Sequence, residues 1–225
     1  MTKIAINATH YRITGMDGLN RNTYLIATEL DRLQRDSLFL TSAVDLFKNT
    51  IRTPVSLSTL GFRGNISRLF WSQTALPKLL KKLQVSVYYS PVAEGMIFPP
   101  CKQIITVHDI IPSLFPEHNP RLKYYFKYIL PALLKKTDMI ITMSHSTQKD
   151  LMRHFGIAER KIRVIYQAYD ETVFFRRERN EIDRVKTKYG IDSEFLLCVG
   201  ETRPYKNFKG LIKAFSKVKS DKVKL

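Results

Sequence analysis

The 225-residue chain has only two cysteines, Cys101 and Cys198. Neither has the spacing of a metal knuckle or a redox pair, which excludes a disulfide scaffold and a cysteine-based metal site and fits a reducing cytoplasm. Long apolar runs are also absent. The longest candidate, 128–134, is seven residues flanked by lysines, far short of the ~18 that would span a bilayer. The first residues enter a strand-like pattern at once, so no signal peptide is expected. The GxGxxG fingerprint of dinucleotide-binding folds is missing, and no acidic residue stands clearly after the second strand, which argues against a dinucleotide-dependent oxidoreductase. Acids are scarce: 20 Asp and Glu against 37 Lys and Arg, a net charge of +17.

That excess implies an anionic partner such as nucleic acid, an anionic membrane face or phosphorylated small molecules, or else a lysine-rich solvated surface. Residues 63–84 carry Arg63, Arg68, Lys78, Lys81 and Lys82 with no acid. Residues 119–137 carry Arg121, Lys123, Lys127, Lys135 and Lys136, again with none. Bases interleaved with Leu, Phe and Tyr suit a peripheral membrane contact, and equally the solvated faces of amphipathic helices. Because the bases are scattered along alternating units and no nucleic-acid motif accompanies them, nucleic acid is not expected as a partner.

The chain is 44% apolar, enough for a sizeable core. Short β-branched or aromatic runs at 3–8, 37–40, 85–89, 103–107, 139–143 and 163–165 alternate with helical periodicity at 20–33, 66–83, 122–136 and 147–155. Pro77 should break or kink the second of these helices, and Ser146 is a candidate cap for the last. Strands alternating with helices predict an α/β, Rossmann-like doubly wound parallel sheet with both faces covered. Residues 1–175 form this domain, 176–190 a polar linker or exposed helix, and 191–225 the incomplete start of a second α/β domain. That second unit is read as a buried strand at 195–199, a loop at 200–206 and a helix from Asn207. With too few residues for its own core, it makes the chain look truncated.

In parallel sheets, ligands sit outside the carboxyl ends of the strands. Three segments there carry chemistry. The first is the glycine loop 15–21, with Gly18, Asn20 and Arg21, where a ligand can approach the backbone and a helix N-terminus. The second is His108-Asp109, where a carboxylate beside an imidazole can fix its orientation and tautomer. The third is 200–207, where Arg203 and Lys206 precede a helix capped by Asn207, a set suited to a diphosphate.

The segment VGETRPYKNFKGLIKAF resembles the opening of the second domain in family 4, retaining, GT-B glycosyltransferases. The resemblance continues in order through 161–174 (KIRVIYQAYDETVF), Thr142-Met143-Ser144-His145-Ser146, 105–117 (ITVHDIIPSLFPE) and the glycine loop. It implies transfer of a sugar from a nucleotide-sugar donor to a glycan or lipid-linked acceptor, as in cell-envelope polysaccharide synthesis. No metal or other cofactor is expected, and the chain has no Asp-x-Asp pair. By this resemblance His108 and Lys206 are the catalytic residues. Gly18, Arg203 and Lys206 face the donor, and Asn20, Arg21 and Asp109 the acceptor. Glu201 stands where many members carry the arginine, and Asn20 where a second loop glycine often sits. The family's paired-glutamate motif has no counterpart before Leu225. The chain is therefore expected to turn over weakly or not at all, the other reading being a non-catalytic acceptor- or membrane-binding remnant. The expected location is the cytoplasm, at the inner face of the membrane.

Overall fold

The computed structural model describes residues 3–12, 17–33, 36–42, 46–59, 61–218 and 223–225. The chain divides into two compact units, Met1–Gln167 and Ala168–Leu225.

The first unit begins with β1 (Ile4–Asn7), α1 (Gly18–Leu33), β2 (Ser37–Thr41), β3 (Thr50–Arg52), α2 (Gly61–Lys82), β4 (Val87–Ser90) and β5 (Lys102–Val107). The short α3 (Ile111–Leu114), α4 (Leu130–Lys136), β6 (Met139–Thr142), α5 (His145–Phe155) and β7 (Ile162–Val164) follow. Seven strands form one sheet in the order β3-β2-β1-β4-β5-β6-β7, parallel throughout. The chain walks outward from β1 to β3, then returns to the other side of β1 with β4 and walks the opposite way. This reversal is the topological switch of a doubly wound sheet.

Neighbouring residues on a strand feed opposite faces. Ala5, Leu40 and Tyr88 pack against Leu76 and Leu80 of α2, while Ile6 and Phe39 pack with Ala27 of α1 on the other side. Tyr88 lies opposite Gln103 in the ladder, so Gln103, Ile105 and Val107 share the α2 face. There Ile105, Val107, Ile140 and Ile162 bury against Leu130, Leu133 and Leu134 of α4 and Leu151 of α5. Burial on both faces explains why these strands read as short, mostly apolar runs without polar alternation.

Four local expectations are corrected. Helix α2 is one continuous element with Pro77 inside it, so of the expected break or kink the break is absent. Pro77 has no N–H for the Gln73 carbonyl, yet the flanking Leu76 and Leu80 are fully buried, and their packing holds the helix together across the missing bond. Residues 122–136 are not one regular α-helix, because a π-turn at Tyr125–Ile129 precedes α4. Pro131 follows directly and withholds the N–H that the Lys127 carbonyl would otherwise accept. The cap of α5 is Ser144, not Ser146: its side chain accepts from Thr147 N. At the other end, Gly156 closes the helix with φ 64°, a left-handed conformation that glycine adopts without a Cβ penalty.

The fourth correction falls in the second unit. This contains the exposed α6 (Arg179–Lys188), β8 (Glu194–Phe195), α7 (Phe208–Phe215) and β9 (Val223–Lys224), with β8 and β9 paired in parallel. The expected buried strand at 195–199 is two residues of ladder followed by exposed chain; Leu197 is 77% and Val199 83% exposed. An apolar run becomes a buried strand only where neighbours flank it and a layer covers it, and the two-stranded ladder supplies neither.

Candidate functional site

Three loops leave the carboxyl edge of the sheet around the switch between β1 and β4. Across it, Asn7 at the end of β1 donates from Nδ2 to Ser90 Oγ at the end of β4, 3.1 Å. Asn7 Oδ1 accepts from Thr9 N at 3.1 Å and Thr9 Oγ1 at 2.7 Å. These buried bonds fix where the chain turns away from β1.

His108 follows β5. Its Nε2 lies 2.9 Å from the Pro91 carbonyl. A carbonyl only accepts, so Nε2 carries the proton. That leaves Nδ1 toward Gln167 Nε2 at 3.5 Å. The tautomer is thus set by Pro91 and not, as expected, by Asp109, whose Oδ1 accepts from Ile111 N at 2.9 Å. The position of His108 is fixed from behind as well: Thr147 Oγ1 donates to the His108 carbonyl at 3.1 Å. Asp109 itself is exposed, and its turn-forming bond leads the chain into α3.

At the glycine loop, Gly15 and Met16 lie outside the described residues. Gly18, Asn20 and Arg21 stand in the first turn of α1 and not in a loop. A Cβ built on Gly18 meets no atom of the described residues within 4 Å. The N-terminus of α1 already has a carboxylate, because Asp17 Oδ1 accepts from Asn20 N at 2.8 Å. Asn20, placed on the acceptor side by the resemblance, is buried. Its amide is spent on the Arg12 backbone, accepting from Arg12 N at 3.2 Å and donating to Arg12 O at 3.3 Å. Its described role is to pin the chain leaving β1. Arg21 is half-buried, with its amide bonded to Asp17 O at 2.9 Å.

Three further polar residues meet at this edge, of which the sequence reading had named only Arg68, as part of a basic stretch and not as a site residue. His10 donates from Nε2 to Thr23 Oγ1 at 2.9 Å, because that hydroxyl gives its own proton to Leu19 O at 3.0 Å. Burial lowers the His10 pKa from its ordinary 6.5, and the charges around it offset one another: Glu94 and Asp17 raise it, Arg68 and Arg12 lower it. Arg68 of α2 pairs with Glu94 after β4, Nε to Oε1 at 2.8 Å. The only local signal for Glu94 was an acidic residue a few positions past a strand. The shallow depression of about 390 Å³ lined by Lys3, Asp36, Leu38 and Asn49 is at the opposite, amino end of β1 and β2. Among the described residues, no three His, Cys, Asp or Glu side chains gather as a metal site.

In the second unit, Arg203 and Lys206 bracket a 3-10 turn, Pro204–Lys206, that leads into α7. Asn207 caps that helix as expected, accepting from Gly210 N at 3.2 Å. Its φ of 55° is left-handed, a conformation Asn tolerates better than most residues. Arg203 Nε pairs with Glu201 Oε2 at 3.1 Å, and Lys206 Nζ lies 5.8 Å from the Tyr205 ring centroid.

A doubly wound parallel sheet with polar side chains at its switch point is a ligand-binding α/β domain of the Rossmann-like class. The comparisons narrow that class. Residues 16–173 match the model of Glycosyltransferase Family 4, and the chain belongs to that family. It is 29% identical over 123 residues to the O-antigen chain mannosyltransferase RfbU of Salmonella typhimurium, covering 55% of this chain and 31% of that protein. It is 27% identical over 110 residues to a Campylobacter jejuni N-acetylgalactosaminyltransferase whose named substrate is a diphospho-undecaprenol-linked sugar, covering 49% of this chain and 28% of that one. Among solved structures, Anabaena Alr3699/HepE in complex with UDP-glucose superposes with a TM-score of 0.60 at 14% identity, over 99% of this chain and 59% of that one. A glycosyltransferase from Rickettsia africae gives 0.59 at 17% identity, over 97% and 58%. The matches thus span less than a third of the curated relatives' own length and under two thirds of the solved structures. The fold is the one expected of the first GT-B domain.

Proposed function

We propose that this chain serves the transfer of a sugar from a nucleotide-sugar donor to a glycan or lipid-linked acceptor, with the carboxyl edge of the first unit on the acceptor side. The observation that carries the reading is His108: an imidazole at a strand's carboxyl end, beside the switch point, with its tautomer dictated by the Pro91 carbonyl. An imidazole held in one orientation presents a fixed hydrogen-bonding surface to a reacting sugar. In this reading Lys206, with Arg203, meets the donor diphosphate. Its ammonium offsets charge growing on the leaving phosphate, the kind of electrostatic stabilisation that commonly dominates such barriers. Gly18 leaves room for the donor beside α1. Arg21 and Asp109 face the acceptor, and Asn20 acts on the acceptor side only indirectly, through Arg12. No metal or other cofactor is assigned a step.

The test is transfer from a nucleotide-activated mannose, the sugar class named for several relatives, to lipid-linked and glycan acceptors. His108→Ala and Lys206→Ala should each lower transfer by about 10²-fold or more. Transfer untouched by both substitutions refutes the assignment, and a chain that binds neither donor nor acceptor refutes the function.

A peripheral contact with an anionic membrane belongs to the same proposal. Among the described residues no helix is long and apolar enough to cross a membrane. Along α2, however, Phe62, Ile66 and Phe70 recur every four residues and are 52%, 49% and 69% exposed, one stripe of the helix. Near α4, Tyr124 and Tyr128 are exposed and stack at 6.5 Å, with Lys127 over the Tyr128 ring. Apolar and aromatic side chains beside bases suit an interface with anionic headgroups. Sedimentation with phosphatidylglycerol vesicles, weakened by salt and by Phe70→Ser, supports the contact. Equal behaviour toward neutral phosphatidylcholine vesicles overturns its electrostatic part.

A further inference from the structure

The Arg68–Glu94 pair lies at the ligand-binding edge, and neither the resemblance nor any relative assigns it a role. Loops leaving β1 and β4 diverge at the switch point, and the crevice between them is where ligands bind in sheets of this kind. The loop after β4 brings Glu94 there, three residues past the Pro91 that orients His108.

The loop is held with unusual completeness. Tyr125 Oη donates to the Ala93 carbonyl. Gln73 Nε2 donates to Gly95 O at 2.8 Å, and Gln73 Oε1 accepts from Ile97 N at 2.9 Å. Buried Gln103 accepts from Met96 N at 2.8 Å and donates to Met96 O at 3.0 Å. A Cβ on Gly95 would stand 2.7 Å from Gln103 Oε1, so any larger residue there would displace the Gln103 amide from the clamp. Three side chains from α2, β5 and the π-turn thus fix the backbone at 93–97.

The carboxylate is then aimed by Arg68. Its Nη1 donates to Leu57 O at 2.7 Å and its Nη2 to Asn65 Oδ1, while its Nε holds Glu94 Oε1 at 2.8 Å. Arg68 is 11% exposed and Glu94 28%. One oxygen of Glu94 is tied back, and the other has no hydrogen-bond partner among the described residues. The local charges offset: Arg68 against Glu94, and Arg12 against Asp17 at 3.7 Å, with His10 buried beside them. With its charge already answered by Arg68, a rigid acceptor-only carboxylate suits a donor of O–H groups.

We infer that Glu94, aimed by Arg68 across the β1–β4 switch, binds adjacent hydroxyls of the acceptor sugar and sets acceptor specificity. The inference rests on the glycosyltransferase reading for its substrate class. Its test does not depend on transfer.

The experiment is a titration of the isotopically labelled 225-residue chain with methyl α-D-mannopyranoside, followed by backbone amide NMR shifts. The wild type should shift at 92–97 and at His108. Glu94→Gln should weaken binding about tenfold to a hundredfold, the loss expected for one hydrogen bond to a charged group. If Glu94→Gln disturbs the fold by leaving Arg68 unpaired, Glu94→Asp replaces it: the charge stays for Arg68 while the reach shortens by one methylene, and binding should still fall. Equal affinity in a folded variant, shifts confined to other parts of the chain, or no shift with the mannoside or with the methyl glycosides of glucose and N-acetylgalactosamine, each overturns the inference. Failure of sugar transfer with these shifts intact refutes the proposed reaction and leaves the hydroxyl site standing.

Discussion

Replacing Gln103 with leucine tests the clamp beneath the site. Gln103 and Met96 are both fully buried. The amide side chain makes three bonds, to Met96 N at 2.8 Å, Met96 O at 3.0 Å and Thr137 Oγ1 at 3.2 Å. Thr137 keeps its own bond to Leu133 O at 2.9 Å in the variant, so two groups are orphaned, the amide and carbonyl of Met96. Each buried unsatisfied group costs about 1–3 kcal/mol, and leucine restores roughly 1 kcal/mol by apolar burial. The net loss should be about 1–5 kcal/mol, a drop in Tm on the order of 10 °C for a unit of this size. Urea unfolding followed through the sole tryptophan, Trp71, reads it directly, because Trp71 packs against the α2 cluster that includes Met96. Hydrogen exchange should quicken at 93–97 before it quickens in β1 or β2. A variant within about 0.5 kcal/mol of wild type, with unchanged exchange in that loop, refutes the claim that Gln103 holds the site's floor.

Two other outcomes follow from local geometry. Ser144→Ala should cost about 1 kcal/mol by removing the cap that Thr147 N uses, while Ser146→Ala, exposed in the first turn of α5, should stay within about 0.5 kcal/mol; reversed urea midpoints would refute the cap assignment. His10 makes stability pH-dependent with a defined sign. Its folded pKa lies below its ordinary 6.5, so the unfolded chain takes up its proton first. The contribution is intact above about pH 6.5 and is lost as pH falls toward the folded value. Thermal melts across that window should show a shallower acid decline for His10→Gln than for wild type, and parallel curves would show that His10 is not held neutral.

Much of this protein was legible in local pattern. Apolar-rich runs at 3–8, 103–107 and 139–143 became β1, β5 and β6 because a strand buried on both faces draws apolar residues to both, its few buried polar side chains, such as Asn7 and Gln103, being hydrogen-bonded. Asn207 capped its helix because a cap is a bond between residues three apart. His108 and Asp109 stood at a strand's carboxyl end because the alternation of elements had already located that end. Errors arose wherever burial outweighed local preference. Pro77 stayed inside α2 because Leu76 and Leu80 pack around it. Residues 195–199 did not form a buried strand because nothing described covers them.

The site needed tertiary structure for a further reason. Arg68 and Glu94 are 26 residues apart, and His108 and the Pro91 carbonyl 17. No periodicity records such pairings. Arg68 meets Glu94 because α2 packs beside the loop after β4, and His108 meets Pro91 because β5 lies directly beside β4, while the reversal between β3 and β4 sets β4 beside β1 and brings the loops after both strands to one edge. Sequence alone determined which residues build strands and helices and which chemistry follows a strand. The order of the strands decided which of those residues meet, because that order depends on packing between distant elements.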